Sequence, residues 1–378
     1  MQKNPVAVVA SDTHLQEAAW RGRSIRGDAY HSFRQIVDYC LRKRLPLILA
    51  GDVLDTHANE PGPIVFLAAE LARLFREDLT VYHIQGQHEG DGNNPWMSVA
   101  QSSLVTHLHR QRVRLGDLWL YGLDYQSSGK LQEELQRIPK QTDILIAHQG
   151  WAEIAGTLLS PQGALSEVPV VSTVVTGDYH KTEILDQLIG ADGQPLRAYS
   201  PGSTCLQEIS EPPEKFFGVL MNDGEVRFRR LKTRTRLEAD LRYAEDVESF
   251  LDNWTATLEQ ALLTAAEDGL PEELRKPLLW VRYHDSDFLR RVNKVVKGQV
   301  HLFPKRVEKK TTTACVEDEA APTLAGLTME KSLELELQSS SPKAYSLAKR
   351  IWENRHDPVA ELKRWKAEVL AGEGDTDD

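Results

Sequence analysis

Residues 6–14 read VAVVASDTH, and residues 47–55 read LILAGDVLD. In each stretch a short apolar run, typical of a buried strand, ends directly before an aspartate and a second acidic or imidazole side chain. Between the two runs, apolar residues recur at helical spacing from Tyr30 to Leu41, and Asp28 lies near the start, where a carboxylate suits the helix dipole. A strand, a helix and a second strand in this order predict a layered α/β fold.

The same alternation of apolar runs and helical patterns continues to about residue 231. An Asn-Asp-Gly turn at residues 222–224 lies between two apolar runs and favours a tight hairpin, so the first domain is predicted to end in antiparallel strands. The predicted strands before this hairpin are 6–10, 46–50, 80–84, 144–147 and 170–175.

A different pattern follows Arg236 and predicts a small second α/β domain, with helices at 244–267 and 286–297 and strands at 278–283 and 299–303. Two proline-capped helices are predicted near the C-terminus, because Ser341 and Asp357 each precede a proline suited to the first helical position. The predicted boundaries are 1–232 for the first domain, 233–305 for the second, 306–340 for a linker, 341–372 for the helical segment and 373–378 for a disordered tail.

The composition describes a globular chain of 378 residues with 41% hydrophobic residues and a formal net charge of −11. This charge excludes a protein coated in positive charge, so any contact with nucleic acid has to come from local basic patches. The three cysteines, Cys40, Cys205 and Cys315, lie far apart, which argues against a disulfide framework and favours a reducing, cytoplasmic setting. We expect no export signal and no membrane segment, because the first apolar run is too short for either.

Acidic and imidazole side chains follow the predicted strands, each at the point where the strand ends. A lone histidine or aspartate in such a place is usually an ordinary loop residue, but five groups in one register predict a shared site at the carboxyl edge of the sheet. The groups are Asp12 and His14; Asp52 and Asp55; Gln87 and His88; His148; and Asp178 and His180.

The residue types in these groups indicate a metal centre. Carboxylate and imidazole ligands without a thiolate suit Mn²⁺, Fe²⁺ or Zn²⁺ better than a structural zinc site or a calcium cage. Two such metals, roughly 3.5 to 4 Å apart, can clamp a phosphate and stabilise charge on the attacking and leaving oxygens. The pattern therefore predicts phosphoester hydrolysis.

Taken together, the motifs resemble the signature of the calcineurin-like metallophosphoesterases: Asp-x-His, Gly-Asp-x-x-Asp, Gly-Asn-His-Asp/Glu, His and Gly-His-x-His. Over about residues 6–300, the chain more fully resembles the SbcD-type nuclease subunit of DNA double-strand-break repair complexes from bacteria or phages. Two further features carry this resemblance: HQG at 148–150, and YSPGS at 199–203 followed by Glu211 and by KFFG at 215–218.

The resemblance implies an α/β fold built as a β-sandwich flanked by helices, with a smaller α/β DNA-capping domain and a C-terminal helical hairpin. It also implies a homodimer joined to an SbcC-like SMC-type ATPase in an SbcCD-like complex acting in DNA repair and recombination. The hairpin would grip the coiled-coil base of the ATPase, although docking onto its own domain is an open alternative. The apolar residues proposed to bind the partner are Tyr345, Ile351, Trp352, Leu362 and Trp365.

The resemblance also implies roles for single residues. The first metal site would comprise Asp12, His14, Asp52 and His180, and the second would comprise Asp52, Gln87, His148 and Asp178, so that Asp52 bridges both. His88 would be the general acid or transition-state stabiliser beside the leaving 3′ oxygen. Asp55 would orient His88 or a ligand, or would be a carboxylate of a surface loop.

Two departures from the family pattern fall on the second metal site. Gln87 stands where the family has asparagine, and Asp178 stands where it has the first histidine of the last motif. Glutamine keeps a carbonyl ligand on a longer arm, and aspartate replaces a neutral ligand by an anion, which favours a hard cation such as Mn²⁺ or Mg²⁺. The second site either persists in altered form or binds its metal more weakly.

Basic residues that could contact DNA phosphates occur in several clusters. Arg21, Arg23 and Arg26 follow the first metal motif. Arg230, Lys232, Arg234 and Arg236 alternate after the predicted hairpin, so they would share one face if the strand continued. A second-domain cluster recurs at helical spacing, and for each cluster a solvated charged face is the alternative. That cluster comprises Arg290, Arg291, Lys294 and Lys297.

Three functional hypotheses follow. The first is a Mn²⁺-dependent 3′ to 5′ exonuclease on duplex DNA with endonuclease action on single strands, acting in the cytoplasm, at the nucleoid or in a phage-infected host. The second is a phosphodiesterase or phosphatase acting on nucleotides or phosphoproteins. The third is a catalytically weak DNA-binding scaffold, which the changes at Gln87 and Asp178 would favour.

Overall fold

The computed structural model describes residues 3–16, 25–55, 61–89, 104–155 and 161–307. All of these residues belong to one compact unit, residues 1–309. Within the described ranges, no helix has both the length and the apolar character needed to cross a membrane.

The described chain alternates strands and helices. The strands are β1 (Pro5–Ala10), β2 (Leu47–Ala50), β3 (Val81–Ile84), β4 (Thr106–His107), β5 (Arg112–Leu115), β6 (Leu118–Leu123), β7 (Ile144–His148), β8 (Thr173–Gly177), β9 (Glu183–Ile189), β10 (Pro195–Ser200), β11 (Phe216–Met221), β12 (Val226–Arg230), β13 (Arg236–Leu241), β14 (Leu278–Tyr283) and β15 (His301–Arg306). The α-helices are α1 (Asp28–Lys43), α2 (Pro61–Arg76), α3 (Ser128–Leu135), α4 (Ala152–Ala155), α5 (Ala244–Glu267), α6 (Glu272–Arg275) and α7 (Ser286–Val296).

Two six-stranded mixed sheets form the larger part of the fold. The first has the order β12-β11-β1-β2-β3-β4, and the second has the order β5-β6-β7-β8-β10-β9. The central strands of each sheet are parallel, and antiparallel strands lie towards the edges. The predicted α/β sandwich is confirmed.

Apolar side chains alternate between the two faces of each central strand and so fill two cores at once. In β2, Ile48 packs into the core between the sheets, whereas Leu47 and Leu49 pack under α1 and α2. In β7, Ile146 faces the same central core and Leu145 faces the outer one that α3 covers. Because both faces are buried, these strands are continuous apolar runs, which explains why the sequence revealed them.

The sheet order brings the carboxyl ends of the central strands together. β1, β2 and β3 are parallel neighbours in the first sheet, and β7 and β8 are parallel neighbours in the second. Since β2 also packs against β7 and β8 across the sandwich, the loops that follow these five strands converge at one edge.

A third sheet, entirely parallel, follows the sandwich in the order β13-β14-β15. One core cluster joins it to α5 and α7, including Trp254, Val281 and Val292. Its strand β15 reaches Arg306, one residue into the segment predicted to be a linker. The domain boundaries themselves stay predictions, and the predicted C-terminal helices lie outside the described residues.

The strand after the hairpin does not continue through the alternating basic residues. β12 ends at Arg230, and residues 231–235 form no strand before β13 begins at Arg236. The alternation of Arg230, Lys232 and Arg234 therefore does not place these side chains on one face of a strand.

Candidate metal centre

The loops at the converging strand ends are fastened to one another by backbone hydrogen bonds. The Asp12 N–H donates to the Gly51 carbonyl at 3.1 Å, and the His14 N–H donates to the Asp52 carbonyl at 3.0 Å. The Asp178 N–H donates to Oδ1 of Asp12 at 3.1 Å, which ties the second sheet to the first. The chain thus places ligands from both sheets on one rigid frame.

Strained backbone marks this edge of the fold. Asp12, His14, Asp52 and Asp178 have φ angles of 49°, 38°, 49° and 79°, in the left-handed region that residues other than glycine rarely adopt. Such conformations cost on the order of 1–3 kcal/mol each and persist where the surrounding structure imposes them. All four are residues that the sequence predicts as metal ligands.

Two glycines are required because ligands approach the backbone closely. A Cβ atom on Gly51, which has a φ of 87°, would overlap the imidazole of His148. A Cβ atom on Gly86 would overlap the carboxylate of Asp52. These two glycines therefore provide the space that His148 and Asp52 need.

Five predicted ligands, together with His88 and Asp55, meet at this edge. Three overlapping groups of side chains each have ligand atoms within 4.8 Å of one another. The groups are Asp12, His14 and His180; Asp12, Asp52 and His148; and His14, Asp55 and His88.

The imidazoles aim the same nitrogen at the centre. Nε2 of His14 lies 3.1 Å from Nε2 of His180, a separation that one shared cation would explain. Nδ1 of His148 donates to the Ala50 carbonyl at 2.7 Å, so its Nε2, 3.3 Å from Oδ2 of Asp52, is left as the ligand atom. A backbone or carboxylate acceptor on the far nitrogen is the usual way to orient a metal-binding histidine.

Unsatisfied buried atoms at the centre fit divalent cations. Among the described residues, Oδ2 of Asp12, Oδ2 of Asp52 and Nε2 of His148 are buried without a hydrogen-bond partner. Buried polar atoms in native proteins nearly always have one, and unsatisfied carboxylate oxygens are especially costly. The donor set is oxygen and imidazole nitrogen without sulfur, so the residues present fit Mn²⁺, Fe²⁺ or Zn²⁺.

The electrostatics of the centre favour positive charge within it. Burial raises the pKa of Asp12, and it would do the same to Asp52, but the imidazoles of His148 and His14 hold the pKa of Asp52 below its ordinary value. Burial opposes charge on His148, yet the carboxylates of Asp52 and Asp12 keep its pKa well above its ordinary value. A divalent cation bound beside these carboxylates would supply the positive charge, so His148 would not need to be protonated.

His88 lies at the rim of the centre, where a substrate can reach it. Its side chain is 26% exposed, its Nε2 lies 3.7 Å from Oδ2 of Asp52, and its ring meets that of His14 edge to face at 4.9 Å. Oδ2 of Asp55 lies 4.0 Å from Nδ1 of His14, and its side chain is 18% exposed. Asp55 thus stands beside a ligand rather than on a free surface loop.

The two residues that depart from the family pattern are more exposed than the other predicted ligands of the second site, and neither belongs to a ligand group. Gln87 is exposed. Asp178 is half-buried beside Gly150 and falls in none of the three ligand groups, although its charge contributes to the raised pKa of His148. Of the four residues predicted for the second metal site, only Asp52 and His148 share a ligand group.

A carboxylate to which the sequence reasoning gave no role supports the Asp52 loop. Glu89 is 1% exposed and accepts hydrogen bonds from the N–H groups of Asp52, Val53 and Leu54 and from that of Gly86. Burial and the nearby Asp52 raise its pKa to about 7. The signal was present, because Glu89 directly follows His88 within the third motif, where the family has an acidic residue.

The candidate DNA contacts differ in whether the structure describes them and in how exposed their side chains are. Arg21 and Arg23 lie outside the described residues, and Arg26 is exposed near the start of α1. The side chain of Arg230 is 67% exposed, 3.5 Å from Glu214, and that of Lys232 is 52% exposed near Asp268. These exposed cations remain candidates.

Arg234 is a correction to the predicted DNA contacts. Its side chain is 2% exposed and forms a two-pronged ion pair with Asp28 at 2.9 and 3.0 Å. It also donates to the carbonyls of Arg26, Glu273 and Lys276. Because its donors are used inside the protein, Arg234 is a structural residue. The predicted partner-binding residues, Tyr345, Ile351, Trp352, Leu362 and Trp365, lie outside the described residues.

Comparisons with known proteins find relatives but no matching family model. The chain is 24% identical over 243 residues to the DNA double-strand break repair protein Mre11 of Methanosarcina acetivorans, an alignment covering 60% of the chain and 39% of that protein. It is 27% identical over 175 residues to the Mre11 of Sulfolobus acidocaldarius, covering 42% of the chain and 45% of that protein. The chain thus spans less than half the length of these two relatives.

Two further similarities concern phosphoesterases. The uncharacterized metallophosphoesterase YhaO of Bacillus subtilis is 24% identical over 238 residues, with 57% of the chain and 55% of that protein covered. A solved structure of a dimetal phosphatase from Danio rerio aligns with 60% of this chain and 98% of its own chain, with a TM-score of 0.41 and 13% sequence identity. The sequence relatives and the ligand groups confirm the predicted resemblance to the calcineurin-like metallophosphoesterases.

Proposed function

We propose that this protein is a two-metal DNA nuclease that removes nucleotides from the 3′ ends of duplex DNA and also cuts single strands. The observation that carries the proposal is the convergence of unsatisfied carboxylate and imidazole atoms from Asp12, Asp52 and His148 beside the partly exposed His88. DNA as the substrate is supported by the Mre11 relatives, whose name describes DNA break repair.

We propose the following metal ligands. Asp12, His14, Asp52 and His180 would hold the first metal, and Asp52, Gln87, His148 and Asp178 the second, with Mn²⁺ as the proposed cation. Two bound divalent cations would lower the pKa of a water molecule and neutralise charge on the phosphate. Asp52, which belongs to both sites, would fix the separation of the two cations.

His88 would protonate the leaving 3′ oxygen. Its position at the rim, with a quarter of the side chain exposed, leaves room for a phosphodiester while the ring stays within 3.7 Å of Asp52. Asp55 would position His14, whose Nδ1 it faces. The exposed cations Arg26, Arg230 and Lys232 would neutralise DNA phosphates without reading the sequence.

The wider assembly is part of the proposal. We propose a homodimer that acts in the cytoplasm with an SbcC-like SMC-type ATPase, bound through the C-terminal helical segment. The resemblance to the SbcD-type nucleases implies this arrangement, and the apolar residues of that segment would suit a partner surface.

The test is digestion of end-labelled duplex, single-stranded and hairpin DNA with Mn²⁺, Mg²⁺ or a chelator. We expect Mn²⁺-dependent shortening from 3′ ends that His88→Ala and Asp52→Asn abolish, while Asp117→Asn, at a position where the side chain is 94% exposed, retains it. Intact DNA together with cleavage of a small phosphodiester reporter would instead support a phosphatase or phosphodiesterase. DNA that is bound but never cleaved would support a scaffold.

A further inference from the structure

We infer that Glu211 is the positioning residue for the metal ligand His180, and that Arg236 of the third sheet holds the Glu211 backbone in place. This inference rests on the metal centre of the proposed function. It adds two residues, one of them outside the sandwich, to the set that determines how the first metal is bound.

The two ring nitrogens of His180 face different neighbours. Nδ1 lies 2.9 Å from Oε1 of Glu211, a distance typical of a strong hydrogen bond. Nε2, on the other side of the ring, lies 3.1 Å from Nε2 of His14 and 3.8 Å from Oδ1 of Asp12. Because an ionised carboxylate can only accept, Nδ1 must carry a proton, and Nε2 is left with the lone pair that a metal requires.

Glu211 is itself held by a buried network. Its Oε2 accepts from Nζ of Lys215 at 2.5 Å, from Oγ of Ser203 at 3.0 Å and from the Gln207 N–H at 3.2 Å. The Lys215 side chain is only 2% exposed and also donates to Ser203 at 2.7 Å. With Oε2 occupied by three donors, Oε1 remains directed at His180.

This arrangement differs from that of the other two imidazoles. Nδ1 of His148 has a neutral backbone carbonyl as its acceptor, and Nδ1 of His14 lies 4.0 Å from the Asp55 carboxylate, beyond hydrogen-bond distance. Among these three ligands, His180 alone has a hydrogen-bonded carboxylate behind it. A carboxylate makes the ligand nitrogen more basic and fixes the ring, and losing such a partner usually weakens metal binding about ten- to a hundredfold.

Arg236 connects this network to the third sheet. It belongs to β13, its side chain is 5% exposed, and its guanidinium donates to the carbonyls of Ile209 and Glu211 and packs over Trp280. Ile209 also joins a small apolar cluster with Leu278 of β14 and Ile25, which lies just before α1. The backbone of Glu211 is thus fixed by the third sheet, while its side chain is fixed within the sandwich.

The experiment is a Mn²⁺ titration of the metal-free full-length protein and its Glu211→Ala, Glu211→Gln and Arg236→Gln variants, followed by electron paramagnetic resonance. Glu211→Ala should weaken the tighter class of Mn²⁺ by about ten- to a hundredfold, and Glu211→Gln, whose single amide oxygen is taken by the three donors at Oε2, by a similar factor. Arg236→Gln should have a smaller effect of the same sign. Glu214→Gln, a change at an exposed neighbour, is the matched control and should bind as the parent does.

A second readout separates positioning from general stability. Nitrogen-15 spectra of the metal-free protein at alkaline pH should show His180 as one tautomer, protonated at Nδ1, identified by its absence in His180→Gln. Glu211→Ala should give a mixture of tautomers, and Glu211→Gln should favour the tautomer protonated at Nε2, because its amide oxygen takes the donors at Oε2 and its NH2 group then faces Nδ1. The spectra require no metal and no substrate.

Several outcomes would overturn the inference. Folded Glu211→Ala or Glu211→Gln protein with Mn²⁺ affinity within twofold of the parent and an unchanged His180 tautomer would exclude a positioning role. A parent protein that binds no Mn²⁺ would overturn both this inference and the proposed function. A parent that binds Mn²⁺ with the predicted dependence on Glu211 but leaves DNA intact would overturn the proposed function alone.

Discussion

The two halves of the metal centre differ in how firmly the fold supports them. The first proposed metal site has two deeply buried members, Asp12 and His14, and a third, His180, whose Nδ1 is hydrogen-bonded to Glu211. The second has His148 fully buried, but its other two predicted members are the exposed Gln87 and the half-buried Asp178. Asp52, which is proposed for both sites, is buried and hydrogen-bonded to two loops.

The two departures from the family pattern, Gln87 and Asp178, both belong to the less firmly supported half. Both substitutions fall on the side of the centre with fewer supporting contacts, where a ligand can change without disturbing the sandwich core. We therefore expect one tightly bound and one weakly bound metal, and the following variants test that asymmetry.

The largest effect is expected from the residue that both sites share. Asp52→Asn should reduce Mn²⁺-dependent hydrolysis of a phosphodiester reporter by about a thousandfold, because losing the shared anionic ligand removes about 4 kcal/mol of charge stabilisation. Initial rates compared with those of Asp117→Asn measure this directly. Activity within tenfold of the parent would show that the two sites do not depend on a common ligand.

The next largest effect is expected on stability, from the buried ion pair that joins Arg234 to Asp28 at the start of α1. Arg234→Ala should lower the free energy of unfolding by about 3 kcal/mol, since it leaves Asp28 and three carbonyls without their buried partner. Arg230→Ala, at an exposed position, should change it by less than about 0.5 kcal/mol. Urea unfolding of both variants compares them, and equal effects would contradict the structural role of Arg234.

A pH effect is expected on the side of β3, the strand that leads to Gln87. Burial, aided by the neighbouring His107, lowers the pKa of His83 from 6.5 to about 3. The unfolded chain therefore binds a proton at His83 more readily than the folded chain does. The stability that neutral His83 contributes is complete above pH 6.5 and is lost as the pH falls towards 3. At pH 5 the loss is about 2 kcal/mol.

Urea unfolding of metal-free protein between pH 7 and pH 5 measures this loss. His83→Gln, which cannot titrate, should show a correspondingly shallower decline than the parent. Asp124, whose charge raises the pKa of His83, is present in both proteins and cancels in the comparison. Identical slopes would show that His83 is not kept neutral in the folded state.

The smallest effect tests the asymmetry from the opposite direction. The double variant Gln87→Asn and Asp178→His restores the family pattern and should tighten the weaker Mn²⁺ class by about tenfold, or about 1.4 kcal/mol. Histidine tolerates the positive φ of position 178 better than most residues. If the tighter class changes instead, the assignment of Gln87 and Asp178 to the second site is wrong.

The central strands β1, β2, β3, β7 and β8 could be predicted from the sequence for one physical reason, whereas β6 and β10 were not predicted. Strands covered on both faces are unbroken apolar runs, so the ends of β1, β2 and β7 are visible within one or two residues. The edge strand β9, with exposed Ile184 and Ile189, has no such run, and it was not predicted.

The supporting contacts could not be predicted because they depend on residues that meet only in the folded chain. Glu89 caps a loop that lies 37 residues earlier, and Glu211 reaches His180 across 31 residues. The alternating basic residues after the hairpin looked alike in the sequence. Only the packing of the third sheet separates the buried Arg234 from the exposed Arg230.

Anomalous diffraction from crystals grown with Mn²⁺ tests the central claim most directly. The account predicts a strong peak among Asp12, His14 and His180, and a weaker peak roughly 3.5 to 4 Å away on the His148 side of Asp52. Absence of Mn²⁺ from this edge of the sandwich, with manganese bound elsewhere or not at all, would contradict the two-metal centre.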